Sequence, residues 1–209
     1  MMVPSIETCF RIMDTYGMLE NIVAHSVVVT RAASLLATGL RDAGIRISVP
    51  RVTAGALLHD IGKTLSLTTG EDHSRVGRRI CMENHLHEIA DIVGEHVRMT
   101  DYHLDDGYSE KEIVFYADKR VNHDRVVTLE DRLSYVLERY AKDRPELRRA
   151  IRKNFELCAR VEKKLFRRLP FGPESLARRT LSDDPLLRQR LDAARKAVRG
   201  RPERGAVRV

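Results

Sequence analysis

The sequence contains no tryptophan, and only 5 % of its 209 residues are aromatic, whereas 32 % are charged. That balance points to helices with well-solvated outer faces. No stretch alternates polar and apolar residues as a half-buried strand would, and no internal repeat is present, so the expected class is all-α. The three cysteines, Cys9, Cys81 and Cys158, are odd in number and far apart. They supply neither a disulfide framework nor a zinc knuckle, and a reducing cytoplasm fits such usage best. No segment approaches the ~18 uncharged apolar residues of a membrane span. The start, Met1-Met2-Val3-Pro4-Ser5-Ile6-Glu7, meets a proline and an acid before any apolar run develops. Neither a signal peptide nor a membrane partner is expected.

What is present suffices for one sizeable core, with 43 % hydrophobic residues in a chain of this length. The net charge of +7 is unevenly spread. Residues 141–209 hold 21 Lys/Arg against 9 Asp/Glu, and residues 1–140 hold 16 against 21. The expected organisation is therefore a domain over 1–140 and a basic helical extension over 141–209. The final residues from Gly200 lack any packing face and are expected to be frayed or disordered.

Helical spacing is clear along the chain. Ser5 caps a first helix with Ile6, Cys9, Phe10 and Met13 on one face. A second carries Leu19, Ile22, Val23, Val27, Leu36 and Leu40, with His25 beside the stripe. Pro50 opens a short buried helix that ends at His59-Asp60. After a polar loop holding Thr68, Thr69 and Gly70, Asp72 caps a helix with His73, Val76 and Ile80. A break at residues 84–86, expected to leave His85 and His87 exposed, precedes a helix ending at His96. An acidic loop over 100–108 contains Asp101, His103, Asp105 and Asp106 and is read as solvated rather than as a lid. Ser109 with Glu112 forms a capping-box pattern for a helix ending near Asp118. Thr128 with Asp131 opens another, with Leu129, Leu133, Val136, Leu137 and Tyr140 as its face. A long amphipathic helix runs from about Pro145 to Leu169, and one or two short helices follow the Pro170-Phe171-Gly172-Pro173 break.

The chemistry concentrates at Leu57-Leu58-His59-Asp60-Ile61-Gly62-Lys63. An imidazole and a carboxylate stand together at the end of an apolar run, followed by a glycine able to end a helix and a lysine able to reach phosphate. Taking an unpaired polar group out of water costs roughly 2–7 kcal/mol, so this pair needs a compensating partner. A helix-end hydrogen bond to backbone would serve, and so would a divalent cation. His25, His73, His96 and Asp118 likewise interrupt or end apolar faces. A single such histidine is ordinarily satisfied by a carbonyl, but a shared metal accounts for all of them at once.

These residues resemble the HD superfamily of metal-dependent phosphohydrolases: a lone His25, His59-Asp60-Ile61-Gly62-Lys63, then His73, a helix-end His96, and Ala117-Asp118-Lys119. The resemblance spans about residues 18–125, and the order is similar to HD-type diadenosine tetraphosphate hydrolases. It is less similar to HD-GYP cyclic dinucleotide phosphodiesterases, whose His-His pair and Gly-Tyr-Pro motif are not found. It implies an all-α HD-domain helical bundle in which His25, His59, Asp60 and Asp118 ligate one ion, with His73 and His96 holding a second in two-metal members. Asp60 and Lys63 would be the catalytic pair, with Lys63 contacting substrate phosphate; apart from the resemblance, Arg75 follows the candidate ligand His73 closely enough to be a second phosphate contact.

Phosphoester chemistry agrees independently, because a cation acidifies water and polarises a phosphoryl group. Imidazole with carboxylate suits Mn, Fe, Co, Ni or Zn better than Ca, and the absence of cysteine from the motifs argues against a structural zinc. The expected partner is a small phosphorylated metabolite, foremost a nucleotide. Two rival classes are a nucleic-acid-binding or nucleolytic module that uses the basic extension, and a non-catalytic metal-binding regulator. The extension lacks an interleaved aromatic platform, and the ligand set together with Lys63 favours catalysis.

Overall fold

A computed structural model describes residues 3–100 and 102–199. Its axis is α2 (Glu20–Asp42), on which Val29, Ala32, Ala33, Leu36, Ala37 and Leu40 are fully buried. Among the described helices, α2 alone is long and apolar enough to cross a membrane by length and composition, yet 61 % of that window is buried within the protein. This is the pattern of a core helix. The face of small alanines lets neighbouring helices approach closely.

Those neighbours follow from caps and stripes. Helix α1 (Ile6–Thr15) begins where Ser5 accepts a hydrogen bond from the Thr8 amide. In α3 (Val49–Leu58), Pro50 occupies the first turn, where a missing N–H is harmless, and residues 52–58 are all buried. After α4 (Lys63–Thr69), α5 (His73–Glu83) starts at Asp72, whose carboxylate accepts from the amides of Ser74 and Arg75. Helix α6 (His87–Glu95) ends at His96. Both sequence capping boxes form, Ser109–Glu112 opening α7 (Glu110–Lys119) and Thr128–Asp131 opening α8 (Leu129–Tyr140). Helix α2 packs on α3 and α7, α3 on α1 and α6, and α5 on α6.

The extension is woven into this core. Helix α9 (Pro145–Phe166) packs on α7 and α8, α10 (Leu176–Ser182) on α2, and α11 (Pro185–Arg199) on α1. Cys158, Val161, Leu165, Leu176, Leu191 and Ala194 join the same hydrophobic cluster as α2 and α3. Each buried leucine of that set contributes about 1.5–3 kcal/mol. Arg31 of α2 donates to the carbonyls of Thr180 and Leu181, and Glu20 pairs with Arg195.

Four local expectations change. Thr68 and Thr69 lie in α4 rather than in a loop, because Ser66 and Thr68 hydroxyls bond back to the carbonyls of Gly62 and Leu65, and only Gly70, at φ +71°, ends the turn. His87 is the first residue of α6 instead of part of the break, although both His85 and His87 are exposed. A short hairpin, β1 (Val121–Asn122) paired antiparallel with β2 (Arg125–Val126), is too brief to show alternation. Helix α9 stops at Phe166 rather than Leu169. The expected disorder beyond Gly200, and Asp101 of the acidic loop, lie outside the described residues.

Candidate metal centre

Three helix C-termini converge on one point. His59 caps α3, His96 caps α6, and Asp118 is the penultimate residue of α7. Unpaired carbonyls at such ends carry partial negative charge and favour a cation. His25 enters from the second turn of α2, and His73 is the first residue of α5. Asp60 sits in the turn that joins α3 to α4, almost fully buried.

Backbone carbonyls set the tautomers. Nδ1 of His25 donates to the His123 carbonyl at 2.8 Å, Nδ1 of His59 to Ala56 at 2.7 Å, and Nδ1 of His96 to Val93 at 2.7 Å. A carbonyl only accepts, so each Nδ1 carries a proton, and each ring in its neutral form presents a bare Nε2 lone pair. All three Nε2 atoms face the carboxylates. His25 Nε2 lies 3.2 Å from Asp118 Oδ1 and 3.9 Å from Asp60 Oδ2. His59 Nε2 lies 3.5 Å from Asp60 Oδ2 and 3.7 Å from Asp118 Oδ1. On the other side of Asp60, Oδ1 is 3.4 Å from His73 Nε2 and 3.5 Å from His96 Nε2, and those two nitrogens are 3.2 Å apart.

Lone pairs aimed at carboxylate oxygens repel unless a proton or a cation lies between them. His59 Nε2 is buried with no hydrogen-bond partner, an arrangement that costs free energy if left so. Ligand bonds of about 2.1 Å place neighbouring donors about 3–3.5 Å apart, close to the separations found. Two groups, His25-His59-Asp118 and His59-Asp60-His96, hold their donor atoms within 4.8 Å of one another. The residues present therefore fit a divalent cation, and the two oxygens of Asp60 face two different histidine sets.

The titration pattern suits the same purpose. Burial would raise the Asp60 carboxyl, but His59, His96 and Lys63 outweigh it and hold Asp60 well below the usual range. Asp118 is likewise opposed by burial yet held low by His25, His59 and Lys119. Burial and the neighbouring His96 push His73 down to about 4, and burial also lowers His96. These two rings are neutral ligands at pH 7. Burial disfavours charge on His59, but Asp60 and Asp118 prevail and raise it.

Lys63 Nζ donates to Asp60 Oδ2 at 2.9 Å from the open side. It lines a cleft of about 250 Å³ with His25, Asp60, Asn122, His123 and residues of α8. Arg75 is exposed on α5 and is not among the residues lining that cleft. Arg78 pairs with Asp91 and Arg79 with Glu71, while Arg120 ties Val127, Glu162 and Pro173 together. His103, Asp105 and Asp106 are exposed on their loop. Sequence reasoning missed Arg132, Tyr135 and Arg139, which line the cleft. Their i, i+3, i+7 spacing on one face of α8 was the available signal.

Lys119 is a buried support. Its Nζ donates to the His96 carbonyl at 2.7 Å and the Phe115 carbonyl at 3.3 Å, and lies 3.6 Å from Asp118 Oδ2. It thus grips a residue from each histidine set. Lys119→Met keeps the volume but removes the grip, and metal affinity is expected to fall about 10–100-fold. Titration of the refolded, helical variant with Mn²⁺ checks this, and unchanged affinity would remove Lys119 from the site's support.

A helical scaffold with this histidine and aspartate cluster has the donor set to hold a divalent cation. The profile of the HD domain family matches residues 22–136, more than half of the chain, and the chain belongs to that family, whose members are in general metal-dependent hydrolases. An uncharacterized protein of Methanocaldococcus jannaschii is 28 % identical over 157 residues, covering 66 % of this chain and 88 % of that protein. No solved structure matches.

Proposed function

We propose that the chain is a phosphohydrolase that uses one or two divalent transition-metal ions, from the group Mn, Fe, Co, Ni and Zn, to cleave a small phosphorylated metabolite, a nucleotide first among them. The observation that supports this reading most is the position of Asp60, whose Oδ1 faces His73 and His96 while Oδ2 faces His59, His25 and Lys63. A cation bound there would acidify a water and polarise the phosphoryl group. Asp60 would be the carboxylate common to both ligand sets, with His25, His59 and Asp118 on one side and His73 and His96 on the other. Lys63 would bind a phosphoryl oxygen from the cleft side. It retains its charge for that purpose, since Asp60 outweighs burial and raises its pKa. In the overall step, water oxygen bonds to phosphorus, the bond from phosphorus to the leaving oxygen breaks, and the proton that water gives up passes to the leaving oxygen of an ester or, for an anhydride, to solvent.

The cleft beside Lys63 is lined by residues between Leu19 and Tyr140, and the cations of 141–199 are not among them. That supports a small-molecule substrate over a nucleic-acid strand, for which a positive groove tracking the backbone is needed. The buried cysteine thiols favour a reducing cytoplasm as the working compartment.

The test is metal analysis of purified protein followed by a screen of phosphorylated metabolites with Mn²⁺. His73→Ala is expected to reduce metal content from two ions to one while the His25 side stays loaded. A single ion per unmutated chain under metal-replete conditions would rule out the two-ion form. No turnover of any phosphorylated metabolite by the metal-loaded chain would sink the hydrolase reading.

A further inference from the structure

Helix α8 is weakly held for an element of this length. Of its 12 residues only Leu137 is buried. Its Arg132, Tyr135 and Arg139 form one stripe, and that stripe lines the cleft at the candidate metal centre, where the Tyr135 ring meets the His123 ring edge-on at 5.2 Å. Arg132 Nη1 donates to the neutral Asn122 Oδ1 at 3.0 Å, and its guanidinium lies 5.6 Å from the Tyr135 ring centre. No ion pair involves Arg132 or Arg139 among the described residues. Asp60 is the sole carboxylate among the lining residues, and Lys63 already pairs with it.

The cleft therefore carries two guanidinium groups beyond what its own acid balances. Seven residues apart on one side of α8, about two helical turns, they offer a ligand with matching negative charge two separate cations to engage. Guanidinium groups suit phosphate because their planar fork donates two parallel hydrogen bonds. The rim is apolar as well. Leu67 is 70 % and Tyr140 54 % exposed, and both line the cleft, so an organic group can lie beside the phosphates.

We infer that the α8 face is a specificity wall that selects ligands carrying at least one phosphate beyond the one cleaved, with Arg132 and Arg139 binding the leaving portion. The inference rests on the phosphohydrolase reading for the meaning of "leaving", but the anion site does not need turnover. Arg132 is held on the hairpin beside His25 and His123, whereas Lys63 marks the position for the reacting group. A single phosphate would satisfy Lys63 and leave the α8 cations unmatched.

The test uses the full chain after chelator treatment, titrated calorimetrically with inorganic phosphate, pyrophosphate and tripolyphosphate at fixed salt. Tripolyphosphate is expected to bind at least about tenfold more tightly than phosphate. Arg132→Gln and Arg139→Ala should each weaken tripolyphosphate about tenfold, the scale of a lost charge-assisted hydrogen bond, and leave phosphate unchanged. With Mn²⁺ loaded, the same variants should raise KM for a nucleoside triphosphate with little change in kcat and no change for the monophosphate. If tripolyphosphate binds no more tightly than phosphate, or the variants weaken both alike, the wall is refuted even when monophosphates are hydrolysed. If tripolyphosphate binds through these arginines but nothing is hydrolysed, the anion site stands and the hydrolase reading falls.

Discussion

Asp60→Ala is expected to abolish metal retention and turnover together. Each of its oxygens faces a different histidine set, Oδ1 at 3.4 and 3.5 Å from His73 and His96, and Oδ2 at 3.5 Å from His59. No other carboxylate among the described residues is paired with both sets, since the histidines that Asp118 pairs with are His25 and His59. Losing a partner outside the ligand shell costs about 10–100-fold in affinity, so losing the shared carboxylate should cost more, about 1000-fold. Truncating one partner of a buried charge pair is usually damaging to stability. Here Lys63 is 37 % exposed along its side chain and can turn into water, and burial already holds His73 and His96 below their usual range. The metal-free variant should therefore melt close to the metal-free parent. Elemental analysis, melting curves and a turnover assay on one preparation separate loss of metal from loss of fold. Full metal content in Asp60→Ala would refute the shared-carboxylate arrangement.

Much of this centre is legible because polar groups break a local rule. His25, His59, His96 and Asp118 sit where helical spacing calls for apolar residues, and each proves to lie at a convergence of helix ends. The two capping boxes are equally local and both form. What the sequence hides is long-range. The carbonyl of His123 that fixes the His25 tautomer belongs to a hairpin whose strands have two residues each. The arginines of α8 look like any solvated helix face until the hairpin and α2 are placed opposite them. The stripe of α9 says that this helix must pack, but not that Cys158, Val161 and Leu165 enter the same core as α2. Helix α4 was invisible because none of its residues is buried, leaving no apolar period to read.

Gly62 was hidden in the same way, and its replacement by alanine should have the second large effect. The sequence suggests a glycine that ends a helix, but its φ of −77° is open to any residue. The requirement is space. A Cβ at Gly62 would lie 2.3 Å from the His73 carbonyl oxygen and 2.6 Å from the Gly77 amide nitrogen. Both are backbone atoms of α5, so no rotamer change relieves the clash, and α5 must move away from the turn that carries Asp60. Overpacking of this kind costs about 1–3 kcal/mol, which lowers the melting temperature by roughly 2–12 °C in a domain of this size. The same displacement pulls His73 away from Asp60 and His96, so the His73 side should lose its ion while the His25 side keeps one. Gly70→Ala is the control. At φ +71° with nothing within 4 Å of a new Cβ, it strains only its own backbone, costing about 1–2 kcal/mol, and should leave metal content intact. Melting curves with metal counts on both variants distinguish strain from displacement. If Gly62→Ala retained parental stability and both ions, close approach of α5 would not be what positions His73.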